Sequence, residues 1–206
     1  MSRLASAIAA KDYVRARIQC NNRVIPGDRL GISLDEQNEL SLARQASRQR
    51  LEAIKKSKLH PVLGHCNALD LVRYGEYVLG EGIGNCLEMT CAVAWYLNQQ
   101  GLFFYEPAYY PDGPPGTPKR DHIFMTLGQI TDAEGKFPDN FANWSEQAVI
   151  CDAWADIACP AQEYPAQWQA RMGEWDQQHY LIANLQPTHT MWLNLVTYPK
   201  RSYFSG

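Results

Sequence analysis

Three glycines, Gly80, Gly82 and Gly84, deliver the chain into the run Asn85-Cys86-Leu87-Glu88-Met89-Thr90-Cys91-Ala92-Val93-Ala94-Trp95-Tyr96-Leu97. A turn-forming approach followed at once by an almost uncharged apolar stretch predicts a buried central helix from Cys86 to Asn98, around which other elements must pack. Met89, Val93 and Leu97 share one face of that helix, and Trp95 and Tyr96 add bulk; core packing accounts for them better than a ligand pocket does. No strand precedes the glycines, and neither a lysine nor phosphate-loop spacing follows, so they read as a flexible approach to the helix.

Cys86 is the residue this arrangement singles out. A thiol at a helix N-terminus is favoured as thiolate by the unsatisfied N–H groups and the positive end of the helix dipole, and the same N–H groups suit an oxyanion. A lone cysteine is otherwise most often a small buried hydrophobe. Two later stretches supply partners: Asp121-His122-Ile123-Phe124-Met125-Thr126-Leu127 predicts a strand opening on histidine, and Ala148-Val149-Ile150-Cys151-Asp152-Ala153-Trp154 one ending on aspartate. Nucleophile, base and orienting acid then follow in chain order as Cys86, His122 and Asp152. Asp121 is a weaker orienter than Asp152, because neighbouring strand residues face opposite ways. Asn85, Glu88 and Trp154 are the candidate substrate-contacting residues; Glu88 serves equally well to complement the helix start.

In Gly84-x-Cys86-x-Glu88, His122 and Asp152-x-Trp154, the chain resembles the transglutaminase-like branch of the papain-like cysteine enzymes, most of all its small bacterial effector members. The resemblance covers roughly residues 80–164, and Leu87 stands where family members commonly carry a second glycine. It implies an α+β fold of papain/transglutaminase-like type, with the nucleophile at the N-terminus of a central helix packed on an antiparallel sheet. It implies a Cys-His-Asp enzyme acting on an amide of a protein substrate through a thioester, with hydrolysis or glutamine deamidation favoured over amine transfer. A noncatalytic protein-binding module that keeps the fold is the competing expectation.

The chain of 206 residues predicts one domain, with a core over residues 80–198 and a helical elaboration over 1–79. Nineteen basic against 22 acidic residues give no general attraction for nucleic acid, and no apolar run reaches the ~18 residues of a membrane span. The resemblance implies a protein or peptide substrate as partner, and the expected location is the producer's cytoplasm or, for an effector, a host cell. Six cysteines in a chain of this length read as reduced thiols, and Cys86 and Cys91 fall on different faces of one helix. No zinc pattern accompanies His65-Cys66 and no calcium loop is present, so the expectation is catalysis without metal or other cofactor.

The remaining elements are expected as follows. A first helix carries Leu4, Ile8, Val14 and Ile18, and Asn21-Asn22 and Pro26-Gly27-Asp28 form turns after it. A second runs from a cap at Ser33 or Asp35 towards Lys58, with Leu40, Ala43, Ser47, Leu51 and Ile54 inward and a basic later half. A third, residues 67–79, packs through Leu69, Val72, Tyr77 and Val78 and braces the Cys86 helix. A strand over residues 102–110 leads to a Pro/Gly-rich loop as a candidate rim or lid. Residues 155–159 form a turn or a short helix end, 165–178 a helix, and Met191 to Thr197 a last strand; Trp154 and Tyr164 pack in the core or form an aromatic wall.

Overall fold

The computed structural model describes residues 2–20, 23–24, 34–58, 67–110, 122–129, 131–178, 181–182, 186–187 and 194–204. The Pro/Gly-rich loop, Asp121, His65-Cys66, His179 and His189 lie outside them, as do the two early turns and residues 191–193. In chain order the elements are α1 (Arg3–Arg15), β1 (Gln19–Cys20), β2 (Arg23–Val24), α2 (Leu34–Lys58), α3 (Ala68–Glu81), β3 (Ile83–Gly84) and α4 (Cys86–Gln99). There follow β4 (Tyr105–Tyr109), β5 (Ile123–Leu127), β6 (Val149–Asp152), β7 (Ile157–Pro160), α5 (Tyr164–Gln177), β8 (Leu181–Ile182), β9 (Gln186–Pro187) and β10 (Arg201–Ser202). The fold is α+β, and its main sheet is antiparallel with order β10-β4-β5-β6-β7.

Every residue of β5 and β6 is buried, which explains why both read as continuous apolar runs rather than alternating ones: each is covered on two faces. The register sets Met125 opposite Cys151, so these two side chains share one face. The Cys151 thiol donates to the Ala7 carbonyl (3.3 Å), placing α1 on that face. Tyr13 of α1 stacks on Tyr96 and Trp95 of α4, with centroids 4.8 and 6.0 Å apart, so α4 covers the same face beside α1. Phe124 points to the other face, where Tyr164 of α5 meets it at 5.1 Å. The sheet is thus sandwiched between α1 with α4 and α5, and Met89, Val93 and Leu97 of α4 are buried as its periodicity predicts.

Several sequence expectations need correction. The buried face of α1 is Ser6, Ala7, Ala10 and Val14, while Ile8 is exposed; small side chains let this helix approach β6 closely enough for the Cys151–Ala7 bond. On α3, Val72 and Val78 are buried as expected, whereas Leu69 and Tyr77 are exposed and Leu71, Tyr74 and Gly75 complete the inward face. That helix does brace α4, and Asn67 and Asp70 close a capping box at its start. On α2, Leu51 is buried, and the Arg50 guanidinium grips both Glu81 carboxylate oxygens (Nε–Oε1 3.0 Å, Nη2–Oε2 2.7 Å). The turn expected over residues 155–159 lies at 153–156, and residues 157–160 form β7 by pairing with β6. Leu195–Thr197 is a short 3-10 helix, and the last strand of the sheet is β10 instead. There the buried Lys200 ammonium donates to the carbonyls of Asp139, Tyr198 and Val196 (2.7, 2.9 and 3.4 Å).

Candidate active site

Cys86 is the first residue of α4 and is buried. The glycines before it are fixed rather than flexible. Gly82 ends α3 in the left-handed conformation (φ 67°), Ile83–Gly84 pairs in parallel with Gln19–Cys20, and a Cβ on Gly84 would lie 2.5 Å from the Glu88 Cβ. Glu88 turns back on its own helix: its Oε2 accepts the Asn85 N–H (2.9 Å) and its Oε1 the Tyr74 hydroxyl (3.4 Å). It therefore serves the helix start, the alternative that its position allowed. Asn85, the N-cap, presents Oδ1 towards the Glu88 N–H, but this oxygen is buried without a hydrogen bond. Beside these two residues lies a cavity of about 20 Å³ reached by Arg48, Leu51, Glu52, Ile83 and Gly84, room for one water.

His122 directly precedes the first residue of β5, and Asp152 is the last of β6. The structure brings them together: His122 Nε2 lies 2.8 Å from Asp152 Oδ2, and both side chains are only 1% exposed. The second carboxylate oxygen accepts the Ala155 N–H (3.0 Å), and Oδ2 also accepts the Tyr164 hydroxyl (2.7 Å). Burial and the Asp152 charge push the Tyr164 phenol well above its ordinary pKa, so it stays a donor. Trp154 and Trp168 pack on the imidazole with centroids 5.0 and 4.9 Å away, and Tyr110 stacks near it at 6.5 Å. Trp154 is thus a wall of the histidine pocket. Tyr164, expected as another wall, is a polar partner of the acid; no pattern in the sequence marks its hydroxyl, since only the fold of residues 152–164 brings it back to Asp152.

The turn after Asp152 is tied down from two helices. Asp156, at φ 62°, takes Lys11 (2.8 Å) and Arg15 (3.2 Å) from α1, with Arg171 of α5 at 3.7 Å. Burial works against its ionisation, but the Lys11 hydrogen bond and the charges of Arg15, Lys11 and Arg171 hold its carboxyl below the ordinary value.

The two halves of the site issue from opposite faces of the sheet: α4 covers the Met125/Cys151 face, whereas His122 and Asp152 project with Phe124 towards α5. Their link runs through Thr90, one turn after Cys86 on the same face of α4, whose hydroxyl donates to the Ile123 carbonyl (3.2 Å) next to His122. Burial pushes the Cys151 thiol far above its ordinary pKa and that of Cys159 up to about 12. The five described cysteines are not joined in disulfides, and among the described residues no cluster suited to a metal ion occurs and no helix is long and apolar enough to cross a membrane. Comparison of the chain with family models, curated proteins and solved structures returns no match. What stands defined is an α+β fold with a buried His-Asp pair, both carboxylate oxygens of which are hydrogen-bonded, and a cysteine-led helix on the other face of the sheet.

Proposed function

We propose that the protein is a Cys-His-Asp enzyme of transglutaminase-like, papain-like type that acts on an amide of a protein substrate. The observation that carries this reading is the buried 2.8 Å contact of His122 Nε2 with Asp152 Oδ2, on neighbouring strands. With Nε2 committed to the acid, Nδ1 is the nitrogen free to take the Cys86 proton. Cys86 Sγ then bonds to the amide carbon, the α4 N-terminal N–H groups hold the oxyanion, and His122 returns the proton to the departing nitrogen as the C–N bond breaks. Water, deprotonated by His122, attacks the thioester and releases acid and thiol. Hydrolysis or glutamine deamidation is favoured over amine transfer, in which an amine takes the place of water. Because the residues come from opposite faces, this reading requires Cys86 Sγ and His122 Nδ1 to meet round the end of the sheet at which β5 begins.

Burial of the His122–Asp152 pair among Trp154, Trp168 and Tyr164 favours a second reading, a noncatalytic protein-binding module in which the pair is a packed structural unit. Alkylation by iodoacetamide near neutral pH separates the two. The enzyme reading expects Cys86 to react faster than Cys20, Cys91, Cys151 and Cys159, and expects His122→Ala to slow it by about tenfold or more while Cys20 is unaffected. Equal labelling of Cys86 in the two proteins leaves the binding module. With a protein substrate in hand, Cys86→Ala abolishes turnover, and mass spectrometry distinguishes chain cleavage, glutamine-to-glutamate conversion and amine attachment.

A further inference from the structure

We propose that Tyr164 is a positioning residue for the His-Asp pair: by filling the acid's remaining acceptor site it fixes which proton His122 carries and how strongly Asp152 holds it. The part of this that concerns catalysis rests on the enzyme reading above; the part that concerns His122 does not. Asp152 has three hydrogen-bond partners: the Ala155 N–H donates to Oδ1, the Tyr164 hydroxyl donates to Oδ2, and His122 Nε2 lies 2.8 Å from Oδ2. A phenol and a backbone amide can only donate to a carboxylate, and together they satisfy the charged form. Asp152 is therefore an acceptor towards His122, neutral His122 is the Nε2–H tautomer, and Nδ1 is its basic nitrogen.

The phenol also sets the strength of the contact. Sharing Oδ2 between two donors spreads the negative charge and weakens its pull on imidazolium. Besides His122, the titratable groups facing Asp152 are Tyr110 beyond β4, Tyr164 of α5, Cys159 of β7 and its own neighbour Cys151. All are neutral near neutral pH, and the Lys200 ammonium stands 5.7 Å from the centre of the Tyr110 ring. Tyr164 is thus the strongest neutral lever on the pair. Its ring is held independently of its hydroxyl by Phe124, Phe141 and Trp168 (5.1, 5.4 and 5.9 Å), so Tyr164→Phe removes the donor and keeps the packing.

The test is a nitrogen-15 NMR titration of His122 in the full chain, read without substrate. The wild type should show protonated Nε2 and unprotonated Nδ1 in the neutral ring. In Tyr164→Phe the His122 titration should move up by about half a pH unit or more, because the undivided Oδ2 charge favours imidazolium. 3,5-Difluorotyrosine at position 164, a stronger donor that keeps the ring, should move it down, and this arm decides if the Phe variant fails to fold. An Nδ1–H tautomer, or a titration unmoved by the change at position 164, overturns the proposal. Under the enzyme reading, the pH profile of Cys86 alkylation should shift in the same direction as the titration. A titration that moves while Cys86 reactivity does not, in the wild type and His122→Ala alike, keeps Tyr164 as a positioning residue for the pair and removes the enzyme reading instead.

Discussion

The two ends of the candidate site are built to opposite rules. Around Asp152 every strong acceptor has a donor: Oδ1 has the Ala155 N–H, and Oδ2 has Tyr164 and His122. At the start of α4, Glu88 holds the Asn85 N–H, while Asn85 Oδ1, aimed at the Glu88 N–H, is buried with no hydrogen-bond partner among the described residues, beside a water-sized cavity. A saturated network in a low-dielectric interior holds one geometry, because any departure strands a buried polar group. An unmatched acceptor at the other end costs free energy now and is available to a donor that arrives later. On the enzyme reading the base side is preorganised at Asp152, with the buried Tyr110 hydroxyl its one polar atom without a partner among the described residues, and the nucleophile side retains capacity for a partner.

The largest expected effect attacks the saturated side. Asp152→Ala removes one acceptor group and leaves the His122 ring N–H, the Tyr164 hydroxyl and the Ala155 N–H without it, so urea denaturation should show a loss of about 3–5 kcal/mol. Its activity should fall for two reasons at once, a misoriented imidazole and a smaller folded fraction. The contrast drawn here breaks if the variant is as stable as the wild type.

A middle-sized effect comes from the packing that sets the nucleophile's turn. Gly84→Ala places a methyl group 2.5 Å from the Glu88 Cβ and 3.5 Å from Ile18 Cγ2, so either Glu88 leaves the Asn85 N–H or β3 shifts away from β1. Overpacking of this kind costs about 1–3 kcal/mol. The same change should slow Cys86 alkylation while leaving the His122 titration in place, since the base side lies on the other face of the sheet. Equal disturbance of both would mean that the two halves form one rigid unit.

How far the chain declared these features follows from the range of the interactions involved. The Cys86 helix, the strand opening after His122 and the strand ending at Asp152 were readable because each is a local pattern of apolar residues bounded by a turn or a polar residue. The meeting of His122 with Asp152 was an expectation from chain order, and the structure makes it. Helix faces were harder: Leu69, Tyr77 and Ile8 point outward because Gly75, Ala7 and Ala10 allow closer contact than larger residues, and an apolarity scale ranks small residues poorly. Residues 157–160 became β7 through pairing with β6, which is non-local. The Tyr164 hydroxyl bond and the contribution of Cys86 and His122 from opposite sheet faces depend wholly on that pairing and on register.

The smallest expected effect bears on the open side. Asn85→Ala removes the N-cap side chain, a change that ordinarily costs about 1 kcal/mol because a capping bond is lost. Here Oδ1 makes no such bond and is already desolvated, so the loss should be offset by relief of a buried unsatisfied acceptor, leaving stability within about 0.5 kcal/mol of the wild type. Glu88, which holds the Asn85 backbone N–H rather than its side chain, keeps the helix start closed in the variant. If the open oxygen receives a donor from substrate, as the expected role of Asn85 in binding requires, the substitution should raise KM several-fold with little change in kcat, once a substrate is in hand. A destabilisation above 1 kcal/mol would show instead that Oδ1 is bonded in solution, through the cavity water or the Glu88 N–H. The nucleophile side would then be as closed as the base side.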